Sequence, residues 1–229
     1  MLAENKFSKY RIYALGEIVL VVIGILIALQ VNDWNEAKKN RAYETKMLAE
    51  VAKALKTDRL NCEEHIKAYA TLGNAVEYFR DLAIDEVQFT DALYPRFWKL
   101  NIGKYLQSNR GPYEALNSSG IDRISDDSLR NHLINFFDFE LLGFHGRLNH
   151  STRNYTPSVE TLLSFIGESR IENKNMVHGQ IPADILQRPE FLRLLGNIEW
   201  RADNAAGNIE TFIPEIDALI EHIDAETEQ

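Results

Sequence analysis

Twenty consecutive residues from Ile12 to Val31, IYALGEIVLVVIGILIALQV, carry a single charged side chain, Glu17. At about 1.5 Å rise per residue a helix of that length spans roughly 30 Å, the depth of a hydrocarbon layer. The pattern predicts one transmembrane helix over 12–31. A cleavable signal peptide would have a shorter apolar region and a small-residue cleavage site, whereas Gln30, Asn32, Asp33 and Trp34 follow here, so an uncleaved anchor is the expectation. Tyr10, Tyr13 and Trp34 sit near the two ends of the run, at the depth amphipathic rings prefer.

Beyond the span, no glycine or proline occurs between Gly24 and Gly73, and the first proline is Pro95. Nothing obliges the helix to stop at the membrane surface, and it is expected to continue as a stalk. Spacings of three and four then link Leu48, Val51, Leu55, Asp58, Cys62, His65, Tyr69, Leu72, Val76 and Phe79, a bundle-facing stripe broken only by Asp58 and His65. One helix from Tyr13 to Leu82 would be about 100 Å long.

After Asp85 the texture changes to short pieces. Thr90 reads as an N-cap, Pro112 as the first turn of a helix that Gly120 ends, and Ser125 or Asp126 as the cap of the next helix. Leu129, Leu133, Phe136, Phe137, Phe139, Leu142 and Phe144 give that helix a thick apolar side, with interruptions expected at Gly143, Gly146 and Pro157. A last long helix opens at Pro189 and places Leu192, Leu195, Ile198, Ala202, Ala205, Ile209, Phe212, Ile216, Leu219 and Ile223 on one stripe, with a bend expected at Pro214. No alternating strand pattern is evident. The fold class that follows is all-α: one N-terminal transmembrane helix continuing into an antiparallel helical bundle, the fourth position filled by shorter pieces. The organisation expected is a cytoplasmic tail over 1–11, the span over 12–31, a helical stalk over 32–46 and an acidic bundle domain over 47–229.

Charge sharpens this outline. The 229 residues carry a formal net charge of −9, with 34 acidic and 25 basic side chains. Residues 1–41 hold six basic and four acidic groups, which leaves nineteen basic and thirty acidic in the remainder, a net −11 for the body. A surface of that sign repels phosphates, so nucleic acid is excluded as a partner and the bilayer is met through the span. Lys6, Lys9 and Arg11 abut one end of the span while Lys38, Lys39, Arg41 and Lys46 follow the other. Because the first cluster would itself have to cross, the N-terminus is expected in the cytoplasm and the bundle outside. The single cysteine, Cys62, excludes an internal disulfide and any cysteine-cluster metal site.

The run FSKYRIYALGEIVLVVIGILIALQVNDWNEAKKNR resembles, nearly residue for residue, the N-terminal signature of a large family of uncharacterised single-pass bacterial membrane proteins carrying a domain of unknown function. The stretch PYEALNSSGIDRISDDSLRNHLINFFD resembles that family's second recognisable block. Together they cover about a quarter of the chain. The resemblance implies a bacterial inner-membrane location and a helical body, and brings no activity with it.

Few residues carry candidate chemistry. Glu17 is a carboxylate about one and a half turns inside the span, where insertion costs up to roughly 2.5–3.5 kcal/mol, and it calls for a partner. Glu17 shares one helix face with Gly24, Ala28 and Val31, and a glycine-lined face is where transmembrane helices approach closely. Three uses are open: a contact between copies, a proton site or ring of carboxylates, or a side chain reaching the headgroup layer beside Lys9 or Arg11. The histidines His65, His132, His145, His150, His178 and His222 form no helical ligand pair, so no metal is expected. Cys62 lies on the apolar stripe and reads as a small core hydrophobe. Asn117, Ser118, Ser119 and Gly120 read as a helix end followed by a new cap, since Asp126 and Asp127 would repel an anion there.

No catalytic set, cofactor motif or phosphate loop can be named. The expected function is therefore non-enzymatic: self-association, or contact with other envelope proteins, through the extramembrane bundle. A small oligomeric ion- or proton-conducting assembly with a Glu17 ring is the alternative, and a helical ligand sensor signalling through a partner is the third.

Overall fold

The computed structural model describes residues 4–101, 106–152, 155–167, 170–172, 175–177 and 179–228. Its first element, α1, runs unbroken from Glu4 to Ile84, 81 residues. Span, stalk and first bundle helix are thus one element. From Ala14 to Lys39 every residue is exposed, and burial starts with Arg41, Tyr43 and Glu44. The predicted stripe is then buried at every position but the half-exposed Tyr69, including its two polar members, Asp58 and His65.

A 3-10 turn over Asp91–Leu93 leads into α2 (Tyr94–Phe97) and a second turn, Trp98–Asn101. Thr90 occupies the N-cap position but makes no side-chain cap bond. Helix α3 (Gly111–Ser118) carries Pro112 in its first turn and stops at Gly120, whose φ of 105° is open to glycine and strained for other residues. A short turn, Ile121–Arg123, precedes α4 (Asp127–Asn135). The cap of α4 is Asp126, whose carboxylate accepts from the Leu129 amide at 2.6 Å.

Next the structure departs from the sequence expectation. Chain direction is maintained through a π turn, Phe136–Glu140, into α5 (Leu141–Thr152), so neither Gly143 nor Gly146 interrupts the helix. Both glycines are exposed, while Leu141, Phe144 and Leu148 hold α5 to the core. The extra residue of the π turn rotates the helix surface. Phe139 and Leu142, expected inside, face outward at 67% and 52% exposure, since a helical count already sets both well round the helix from Leu133 and Phe137. Helix α6 (Tyr155–Ser164) follows, with Pro157 in its first turn. A second departure is a small antiparallel hairpin, β1 (Arg170–Glu172) with β2 (Asn175–Val177), in register Ile171 to Met176. Three-residue strands are too short to leave an alternating pattern in a sequence.

Helix α7 (Pro189–Thr227) continues through Pro214. Its predicted stripe is buried except at Leu192, where Phe191 takes the inner position. Arg201 is also buried on this helix, its guanidinium donating to the Asn197 carbonyl at 3.0 Å and to Ser158.

Helices α1 and α7 form the axis of the bundle and run antiparallel. Ion pairs record the direction: Lys56 meets Asp224, Arg59 meets Asp217, and Arg80 meets Glu199, so numbers rise on one helix as they fall on the other. Two cores lie along this axis. In the span-proximal core, α3, α4, the π turn and α5 cover α1 from Met47 to Cys62 and α7 from Ala205 to Ile223. In the distal core, Phe79, Phe97 and Phe191 pack together, Phe97 stacked on Phe191 at 6.1 Å with Phe79 edge-on to both. Among the described residues the fold is all-α apart from the one hairpin.

Candidate functional site

Along the span of α1, Glu17, Gly24 and Ala28 fall on one side of the helix and all three are exposed. From Glu17 to Ala28 the helix rises about 16 Å. A methyl added at Gly24 would meet nothing within 4 Å, so Gly24 answers no packing demand inside this chain. At the C-terminal end of the apolar segment the Lys38 ammonium lies 5.8 Å from the Trp34 ring centroid.

Where α1 enters the bundle, charged and hydroxyl groups from three elements converge. The Glu44 side chain is 2% exposed. Its Oε1 accepts from the Ser125 amide at 2.7 Å and from the Ser125 hydroxyl at 2.9 Å. Arg41, one turn earlier, donates to Glu44 at 3.1 Å, to Ser125 Oγ at 3.0 Å, and to Glu226 at 2.8 Å, reaching the last turn of α7. A further bond ties the same level: the Tyr43 hydroxyl donates to Ser119 Oγ at 2.6 Å, while Ser119 in turn donates to the Leu116 carbonyl. The Arg123 guanidinium stands 5.4 Å from the Tyr43 ring centroid. Carboxylates thus hold the Arg41 guanidinium above its ordinary value, Glu226 first and Glu44 second. The result is a clamp joining α1, the α3–α4 connector and the end of α7.

Asn117 to Gly120, read from sequence as a helix end, serve in that role and also receive Tyr43. Ser125 was an alternative cap for α4; Asp126 takes the cap and leaves Ser125 free for Glu44. Neither Glu44 nor Glu226 was singled out by the sequence, because a carboxylate on a polar turn of a helix has no signature of its own burial.

A second cluster lies deeper, around a cavity of about 10 Å³ lined by Leu55, Asp58, Cys62, Ser108, Phe136 and Phe212 among others. Such a space is on the order of one water molecule. Burial raises the Asp58 carboxyl, an effect opposed by the Asn109 amide that donates to it at 2.8 Å. Burial, then the charge of Asp58, push the Cys62 thiol up to about 11, which removes the thiolate needed for nucleophilic chemistry. Ser108 Oγ lies 3.1 Å from His145 Nε2, and burial followed by Arg110 lowers His145 below the ordinary imidazole value. Tyr113 donates to Asp138 at 3.0 Å and stacks on Phe137 at 4.2 Å; burial and that bond push its hydroxyl up to about 12. The cavity at the centre of this set is too small for an organic substrate.

His65 Nδ1 lies 2.7 Å from the Asn61 carbonyl, and His132 meets His222 across the α4–α7 contact. His178 lies outside the described residues. Among the described residues no three His, Cys, Asp or Glu side chains converge as metal ligands.

Among the described residues α1 holds the one segment long and apolar enough to cross a membrane, a test of length and composition that a signal sequence near an N-terminus can also pass. The model of a family described as a family of unknown function (DUF6090) matches residues 17–168, about two thirds of the chain. The chain belongs to that family. No curated protein and no solved structure matches it. The DUF6090 region begins at Glu17 and takes in Gly24, Ala28, Arg41, Tyr43, Glu44, Ser119 and Ser125, so the span face and most of the clamp lie within it, while Glu226 on α7 lies beyond.

Proposed function

We propose that this DUF6090 protein is a non-enzymatic single-pass protein of the bacterial inner membrane, with its N-terminus in the cytoplasm and its bundle in the periplasm. The bundle serves self-association or contact with other envelope proteins, and copies meet through the Glu17, Gly24 and Ala28 face. One feature supports this above the others. The helix bearing that face continues without a break into the body and is clamped there by Arg41 and Glu44, so a contact made in the bilayer fixes how the bodies are presented. The exposed Gly24, with no packing duty inside the chain, fits a close helix-to-helix approach.

The mass of the full-length chain in mild detergent tests this reading. An oligomer is expected, which Gly24→Leu dissociates while Glu17→Gln leaves it intact, since a neutral amide still hydrogen-bonds between helices. A monomeric wild type would overturn the association. Conductance in reconstituted bilayers that is abolished by Glu17→Gln, with the oligomer retained, would replace it with the ion-conducting alternative. Orientation is tested separately by a cysteine introduced at exposed Asp203, against the buried native Cys62. A membrane-impermeant thiol reagent is expected to label it in spheroplasts with the inner membrane intact. Labelling only after that membrane is opened reverses the topology.

A further inference from the structure

Two half-buried imidazoles meet where α4 packs on α7. The Nδ1 atoms of His132 and His222 are 3.0 Å apart, with ring centroids at 5.3 Å and planes inclined by 40°. At that separation one nitrogen must donate and the other accept. The neutral pair satisfies this with one ring protonated on Nδ1 and the other on Nε2. A single added proton is tolerated, because the imidazolium still donates to its neutral neighbour. A second is not: both Nδ1 atoms then carry hydrogen, and two like charges face one another with no acceptor between them.

We propose that His132 and His222 form a proton-operated latch, closed while the pair holds at most one added proton and opened when both rings are protonated, which frees α4 from the C-terminal half of α7. The surrounding charges fit this use. Burial, then the charge of His222, lower His132 below the ordinary imidazole value, and they outweigh Glu140 at the end of the π turn and Glu215 on α7, which act in the opposite sense. The basic groups that α1 contributes nearby are engaged elsewhere: Lys56 with Asp224 and Arg59 with Asp217. Asp224 is two residues from His222 and so points to about the opposite side of α7. On α4 itself, Arg130 bonds Asp127 and the Ile124 carbonyl.

The position of the latch gives it a consequence. His222 precedes Glu226 by one turn, and the N-terminus of α4 is the Ser125–Asp126 segment, so the two helices the latch joins are the two that deliver Glu226 and Ser125 to Arg41 and Glu44. Opening it loosens the hold of the body on α1. The latch itself depends only on the α4–α7 contact and stands apart from the oligomer and topology of the preceding section.

The sign follows from linkage. With His132 lowered in the folded chain, the unfolded chain binds the extra proton near pH 6.5 and the folded chain only at lower pH. Stability is therefore complete above that range and falls as pH drops through it. His145, also lowered, adds to the same trend. The test compares the full-length wild type in mild detergent with the double variant His132→Gln/His222→Gln, which keeps His145. Between pH 7.5 and pH 5 the wild type is expected to lose at least about 3 °C more in Tm than the variant. Amide exchange, corrected for its intrinsic pH dependence, should accelerate in acid over 127–135 and 216–227 in the wild type and not in the variant. Equal Tm losses in the two proteins would overturn the latch. If the variant fails to fold, NMR titration of the wild-type rings decides: a His132 midpoint clearly below 6.5 with perturbation passing to His222 upholds it, and independent titration of the two rings at ordinary values overturns it.

Discussion

Phe212→Ala should cost about 3–5 kcal/mol of stability and lower Tm by roughly 10 °C or more. Phe212 is 3% exposed and lies at the centre of an aromatic stack, its ring 4.1 Å from Phe144 at 5° and 5.5 Å from Phe136 at 20°. It also lines the small cavity beside Asp58 and Cys62. Truncation joins the lost ring volume to that existing space. The neighbours are poorly placed to close it, since Phe136 is fixed by the π turn and Phe144 by α5. Urea unfolding of the full-length chain in detergent would show a lower midpoint, and Phe212→Leu should fall between the two proteins. A loss below about 1 kcal/mol would mean that the core collapses around the gap and that the stack is not the organising contact of the span-proximal half.

The second large effect is expected at Glu44. Glu44→Ala removes the acceptor of both the Ser125 amide and hydroxyl and strands one side of Arg41, a loss of about 2–3 kcal/mol. Most of it reflects unsatisfied donors around a nearly inaccessible position. Arg41 is 41% exposed, so its attraction is screened and contributes the lesser part. Glu44→Gln retains one acceptor for the Ser125 amide and should cost roughly half as much. Beyond the global loss, amide exchange should rise first at 119–127 and in the last turn of α7, the segments the clamp gathers. An unchanged pattern there would show that the clamp holds nothing that core packing does not already hold.

What was legible in the chain is what repeats. The α1 stripe is so regular that Asp58 and His65, polar residues lying on it, could be placed inside before any contact was known, and both are buried. The family resemblance, drawn from the GEIVLVVIGILIALQ run and the Ser-Ser-Gly block, was to proteins with a domain of unknown function, and to that extent the DUF6090 match over 17–168 agrees with it. Phe139 and Leu142 were misplaced because the apolar side of that helix was drawn too wide: a 3.6-residue count sets both well round the helix from Leu133 and Phe137. The hairpin was too short to register. The clamp and the histidine pair were illegible for a different reason: Arg41 with Glu226, and His132 with His222, are 185 and 90 residues apart, and the first is brought together by α7 docking on α1, the second by α4 packing on α7. The Glu17 face was read from helical spacing alone, and the exposed, contact-free Gly24 is the one structural fact added to it.

The unbroken α1 has a mechanical consequence. At 81 residues it is about 120 Å from end to end, and under the proposed anchoring it is a lever arm whose lower part alone lies in lipid. A transmembrane helix tilts to match the thickness of the bilayer around it, and a change of only ~10° would swing the far end of this one sideways by about 20 Å. No hinge between Glu4 and Ile84 is available to absorb that swing, so in a chain anchored as proposed the height and lean of the body would follow local bilayer thickness.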